Sequence, residues 1–229
     1  EGSLFKTSRY GELQILKYQD AKNVEVVFLN TGYTTIVQMN NIYKGKVKDR
    51  LQPTVHGIGI VGDSLCKVER VMTKSYLYWE RMLARCYSEI YLKKRPTYRY
   101  CTVSENFKYL PYFEDWCNSQ VGFSEGGWAL DKDILIKGNK IYSEESCCFV
   151  PLEINNLVVQ QKSTRGDLFI GVSQIGGVLP YRASLRNKIL GYFATPEEAF
   201  HTYKKAKEAY IREVANNWKG RIDNKVYDS

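Results

Sequence analysis

A chain of 229 residues with 33 lysines and arginines against 25 aspartates and glutamates has a formal charge of +8, which points to a polyanionic partner more than to a small neutral substrate. No apolar run approaches 18 residues and no signal-peptide pattern is visible, so the expectation is a cytoplasmic protein with no membrane partner. Six cysteines at 66, 86, 101, 117, 147 and 148 contain no Cys-x-x-Cys pair, which argues against a zinc ribbon or thioredoxin-like site and fits a reducing compartment. Charge is uneven along the chain. Lys67 to Arg99 holds nine bases against three acids, whereas Glu105 to Glu153 holds four against nine, so a basic stretch and an acidic one are neighbours in sequence.

Residues 4–62 read as β. Gly11–Tyr18 and Val24–Leu29 alternate or run apolar, Asp20–Asn23 forms a turn, Asn30–Tyr33 is a hairpin signal, and Thr34–Met39 continues a third strand. This spacing predicts a small five-stranded β-barrel over 1–62. Lys44, Lys46, Lys48 and Arg50 flank Gly45, either as phosphate contacts or as a solvated loop. Gly57, Gly59 and Gly62 match a Gly-x-Gly-x-x-Gly pattern, but no helix opens behind them, so they read as a closing strand and linker rather than a dinucleotide site.

The spacing predicts a helix over 73–91, with Trp79, Met82, Leu83 and Cys86 as its apolar stripe. A second helical segment starts at Ser104, turns Phe107, Leu110, Phe113 and Trp116 inward, and breaks near Pro111. Between them, Lys93, Lys94, Arg95 and Arg99 interleave with tyrosines in a predicted loop. Bases among aromatics suit a sugar-phosphate backbone.

Residues 128–157 read as strand, turn, strand and short helix: Trp128 to Asp133, Lys137 to Lys140, Cys147 to Pro151, and a helix ending at Ile154-Asn155-Asn156. The pattern resembles the ββα element of HNH nucleases. That resemblance implies a general-base histidine closing the first strand and a metal steadying the scissile phosphate. Here Asp131 or Asp133 stands in the histidine's place, and Asn155 or Asn156 stands where the last metal-binding histidine often sits. The two histidines, His56 and His201, lie elsewhere in the chain. An oxygen-ligated magnesium on Asp131, Asp133 and Asn139 would serve an active version, and otherwise no cofactor is expected.

The C-terminal stretch from Asp167 reads as three short strands and a long helix. Thr195 is placed as N-cap, Pro196 at the first helical position and Glu198 to close a capping box, with Ala199, Tyr203, Ala206, Tyr210 and Val214 on one apolar face. In the middle strand Tyr181, Ala183 and Leu185 face the helix. Arg182, Ser184 and Arg186 face outward, with Lys188 beyond the turn. Arginines on an open sheet suit guanine edges in the major groove.

Gly-Tyr-Phe, Thr-Pro-Glu-Glu-Ala, then Tyr203 and Ala206 resemble the ethylene-response-factor DNA-binding domain, also carried by phage and bacterial homing endonucleases. The likeness covers about 50 residues and implies base reading by Arg182 and Arg186, although Val172 to Gly177 replaces that family's arginine- and tryptophan-rich first strand. The combined expectation is an α+β protein of three modules: barrel 1–62, degenerate HNH-like 63–160, and sheet-and-helix reader 161–229. Its expected function is site-specific binding of double-stranded DNA, as a regulator or repressor derived from a homing endonuclease and, if phage-encoded, working in the bacterial host cytoplasm. The alternatives are an active metal-dependent homing endonuclease and a structural protein that binds DNA without sequence preference.

Overall fold

Strands β1 (Leu4–Lys6), β2 (Glu12–Asp20), β3 (Asn23–Phe28) and β4 (Thr34–Val37) form an antiparallel sheet in sequence order. Period-two alternation builds it. Leu13 and Ile15 of β2 and Val24, Val26 and Phe28 of β3 are buried on one face, and Ile42 and Val47 close over them. The β2–β3 turn is held by the Asp20 carboxylate, which accepts the backbone N–H of Lys22 at 2.6 Å and of Asn23 at 3.0 Å.

The computed structural model describes residues 2–158 and 168–229. Asp167, where the sequence reading opens the C-terminal stretch, and the boundary at 160–161 lie outside the described residues.

No closed barrel forms among the described residues, which corrects the expectation for 1–62. After β4 the chain turns into the short helix α1 (Met39–Tyr43), and the glycine stretch makes only an isolated bridge from Val55 to Gly59 and another from Ile60 to Tyr109. Gly59 and Gly62 serve close packing. A Cβ on Gly59 would lie 2.5 Å from Leu83 and 2.7 Å from the Trp79 ring.

A small hairpin, β5 (Lys67–Val68) and β6 (Val71–Met72), leads to α2 (Lys74–Tyr87), capped by the Thr73 hydroxyl. The expected stripe holds: Trp79, Met82, Leu83 and Cys86 are buried, and the Trp79 indole donates to the Phe107 carbonyl at 2.7 Å. The predicted 73–91 helix divides at Ser88, whose side chain caps a second helix, α3 (Glu89–Lys94). Then come β7 (Thr102–Val103), a single turn at Asn106–Lys108, and α4 (Leu110–Ser119), which starts next to Pro111 because proline is tolerated in a first turn.

β8 (Trp128–Asp131) is followed by β9 (Ile141–Tyr142), which pairs in parallel with β7. β10 (Cys148–Pro151) pairs antiparallel with β8 and runs into α5 (Leu152–Val158). The last module has β11 (Val172–Gln174), β12 (Tyr181–Leu185) and β13 (Lys188–Phe193) as an antiparallel sheet. It is followed by α6 (Pro196–Trp218) and the short α7 (Asn224–Tyr227).

The fold is therefore mixed α and β, in two compact units: Glu1–Ser119 with Gly138–Cys147, and Gln120–Lys137 with Cys148–Ser229. These units cut the chain differently from the three modules read from the sequence, because the β8–β10–α5 element groups with the C-terminal sheet and helix.

Candidate nucleic-acid interface

The C-terminal sheet packs one face on α6. Val172, Ala183, Ala199 and Tyr203 are buried between them, with Tyr181, Leu185, Leu190 and Phe193 around this core. Ala183 and Ala199 leave room for sheet and helix to approach closely, and Gly171 admits the Tyr203 ring. The helix begins as its sequence dictates. The Thr195 hydroxyl accepts the Glu198 N–H, the Glu198 carboxylate accepts the Thr195 N–H, and Pro196 occupies the first turn.

The other face carries a row that crosses all three strands. Ser173, Arg182 and Tyr192 are direct cross-strand partners, and the Arg182 Nε donates to the Ser173 hydroxyl at 3.2 Å. Beside them Ser184 pairs with Ile189, so a hydroxyl and an exposed aliphatic extend the surface. Arg182 and Ser184 thus stand side by side as expected. Ser173, Ile189 and Tyr192 were missed, although the period-two rule that exposes Arg182 also exposes Tyr192 on the neighbouring strand.

Arg186 departs from the expectation. β12 ends at Leu185, and Arg186 and Asn187 form the hairpin turn with φ of 48° and 63°. Two positive φ values match the twist of paired strands, so the turn ends the strand alternation one residue earlier. The Arg186 guanidinium folds onto α6, donating to the Tyr210 hydroxyl at 2.5 Å and lying 4.7 Å from the ring centre. Burial and the nearby Arg186 charge hold the Lys207 ammonium below its ordinary pKa. Lys188, which pairs with Leu185 across the turn, is exposed.

The second basic stretch is also repositioned. Lys93 and Lys94 form the last turn of α3, Arg95 follows, a 3-10 turn spans Pro96–Tyr98, and Arg99 ends it. All four bases are exposed. The tyrosines between them are not all presented outward: Tyr91 and Tyr98 meet edge to face at 5.8 Å and are half-buried, whereas Tyr100 is exposed.

In the β8–β10–α5 element, Asp131 ends β8 opposite Cys148. Its Oδ1 accepts the backbone N–H groups of Asp133 at 2.7 Å and Ile134 at 2.8 Å. Asp133 receives the buried Lys132 ammonium at 2.7 and 2.8 Å. Asn139 belongs to the other compact unit, where its side chain closes a turn on Ile141. Asp131, Asp133 and Asn139 are each committed to local bonds. Among the described residues no group of three histidines, cysteines, aspartates or glutamates is arranged to hold a metal ion. His56 bonds Glu80 at 2.9 Å, and His201 is exposed on α6.

α6 is tied to this element at its far end. The Trp218 indole donates to Glu153 of α5 at 3.0 Å, and its ring meets Trp128 of β8 edge-on at 5.9 Å. No family model, curated protein or solved structure matches this chain.

Proposed function

We propose that the protein binds double-stranded DNA at a specific sequence through the open face of the C-terminal sheet, and that it acts as a regulator or repressor derived from an HNH homing endonuclease. The observation that carries this reading is the Ser173–Arg182–Tyr192 row, a guanidinium braced by a neighbouring hydroxyl on the sheet face opposite α6. A braced arginine loses less freedom when it meets the two acceptors of a guanine edge. Arg186 and Lys207, on the α6 side of the module, and exposed Lys188 add positive charge that suits phosphate.

Selection of bound fragments from genomic DNA tests the reading directly. On the selected site, Arg182→Ala should weaken binding by about 1–3 kcal/mol and relax preference at one or two positions. Unchanged affinity for both the selected and a scrambled duplex would remove the sheet from the interface.

Lys93, Lys94 and Arg95 read as backbone contacts. Their triple alanine variant should weaken all duplexes alike and make the negative slope of log affinity against log salt shallower by roughly 2–3, at about 0.9 per lost phosphate contact. An unaltered slope places that turn off the DNA.

One observation favours a second reading, an active metal-dependent endonuclease: two antiparallel strands running straight into a helix are the element order of the HNH site. Against it stand the local bonds already made by Asp131 and Asp133.

A further inference from the structure

We propose that the first compact unit holds a nucleotide-binding site, in a cavity of about 590 Å³ whose lining includes Tyr10, Tyr33 and Tyr76 together with exposed Lys46 and Lys48. The site uses none of the residues of the proposed duplex interface, and the sheet row that carries that reading belongs to the other unit.

The lining is built by local bonds. Asp49 is 2 % exposed and accepts the Thr31 hydroxyl at 2.7 Å and the Leu51 N–H at 2.9 Å. Arg50 donates from Nε to the Gly62 carbonyl and from Nη2 to the Ser64 carbonyl. With the chain pinned at these points, Val47 enters the core while Lys46 and Lys48, one residue to either side, remain exposed at the cavity. Three bases therefore line the space with one carboxylate, and that carboxylate is already bonded through both oxygens.

Size and chemistry narrow the occupant. The volume falls within the range of roughly 300–1,000 Å³ usual for small-ligand sites. A bare phosphate would meet the lysines but leave the tyrosine walls uncovered. An apolar ligand would bury the lysines' side of the cavity without pairing its charge. An aromatic base among the tyrosine rings with its phosphate on Lys46 and Lys48 satisfies both halves. Paired bases inside a duplex are not presented for such an insertion, so the source is a free nucleotide or an unpaired nucleotide of a strand.

Cys66 also lines this cavity and provides the probe. It is half-buried, whereas the other five cysteines are buried, and burial pushes its thiol pKa up. The native protein should therefore react with an aromatic disulfide reagent mainly at Cys66, faster as pH rises, and Cys66→Ser should remove that reaction.

Labelling is followed with adenosine and thymidine monophosphates, a short oligothymidylate or inorganic phosphate present. Millimolar nucleotide, mononucleotide or oligomer, should slow labelling at least about fivefold. The Lys46→Glu, Lys48→Glu double variant should need about tenfold more of it, since both substitutions fall on exposed side chains and reverse charge at the phosphate position. Protection at lower concentration by the mononucleotide identifies a free nucleotide as the natural source. The reverse order identifies a strand. The proposal is overturned by absence of protection from every nucleotide and oligomer, by protection undiminished in the double variant, or by inorganic phosphate protecting as well as the nucleotides.

Discussion

Gly171→Ala is expected to destabilise the C-terminal sheet and helix by about 2–5 kcal/mol and to abolish sequence-specific DNA binding at ordinary temperature. Gly171 has φ of +78°, and a Cβ there would sit 2.0–2.4 Å from carbons of the Tyr203 ring. Holding a side chain in the left-handed region costs roughly 1–2 kcal/mol, and forcing extra volume into a packed core costs about 1–3 more. The ring has little freedom to move, because Tyr203 is 7 % exposed, stacks on Phe200 and packs with Val172, Ala183 and Ala199.

Gly176→Ala separates the two contributions. Its φ is +86°, but its Cβ would meet nothing within 4 Å, so only the backbone cost of roughly 1–2 kcal/mol applies. Denaturant unfolding of the two variants in parallel should place Gly171→Ala well below Gly176→Ala. Equal stabilities would mean that the Tyr203 contact is not part of the folded core, and the sheet would lose the support on which the Arg182 row depends.

The features legible in the sequence are those encoded within a few residues. The capping box at Thr195 and Glu198, the α2 stripe from Trp79 to Cys86 and the burial of Ala183 follow from side-chain chemistry at fixed short spacing. Barrel closure was misread because closure depends on pairing between strands far apart in sequence, and alternation within a strand is silent about it. The same locality explains the division of the chain. The Trp218–Glu153 bond spans 65 residues, so no pattern near either residue announces it.

Arg186 was a different failure. It continues the alternation of β12, and Arg-Asn lacks the glycine that usually marks a two-residue turn, so a turn position passed for a strand position. Its commitment to Tyr210 leaves Arg182 as the arginine on the sheet face opposite α6. At the β8–β10–α5 element the order of pieces was legible. The bonds of Asp131 and Asp133 were not, because both nuclease ligands and turn-forming residues are carboxylates near the end of a strand.

Those bonds lead to the second large effect: Asp131→Ala with Asp133→Ala should cost about 2.5–5 kcal/mol of stability. Removing the Asp131 carboxylate strands two backbone N–H groups that it satisfies at 2.7 and 2.8 Å, a capping loss worth roughly 1–2 kcal/mol. Removing the Asp133 carboxylate takes a charged partner from the Lys132 ammonium, whose side chain is 5 % exposed, at about 1.5–3 kcal/mol. Asparagine at the same two positions keeps an acceptor oxygen for the turn and should recover much of the Asp131 share, yet it would empty any metal site that needs negative charge. The pair of variants therefore tells a structural role from a catalytic one. With magnesium or manganese present, the native protein should leave its selected DNA uncut, the alanine pair should unfold at lower denaturant, and the asparagine pair should still bind that DNA. A chain that cuts at a fixed position with metal, and whose Asp131→Asn, Asp133→Asn variant stays folded but no longer cuts, would be an endonuclease, because only loss of metal or proton chemistry separates stability from cleavage in that way.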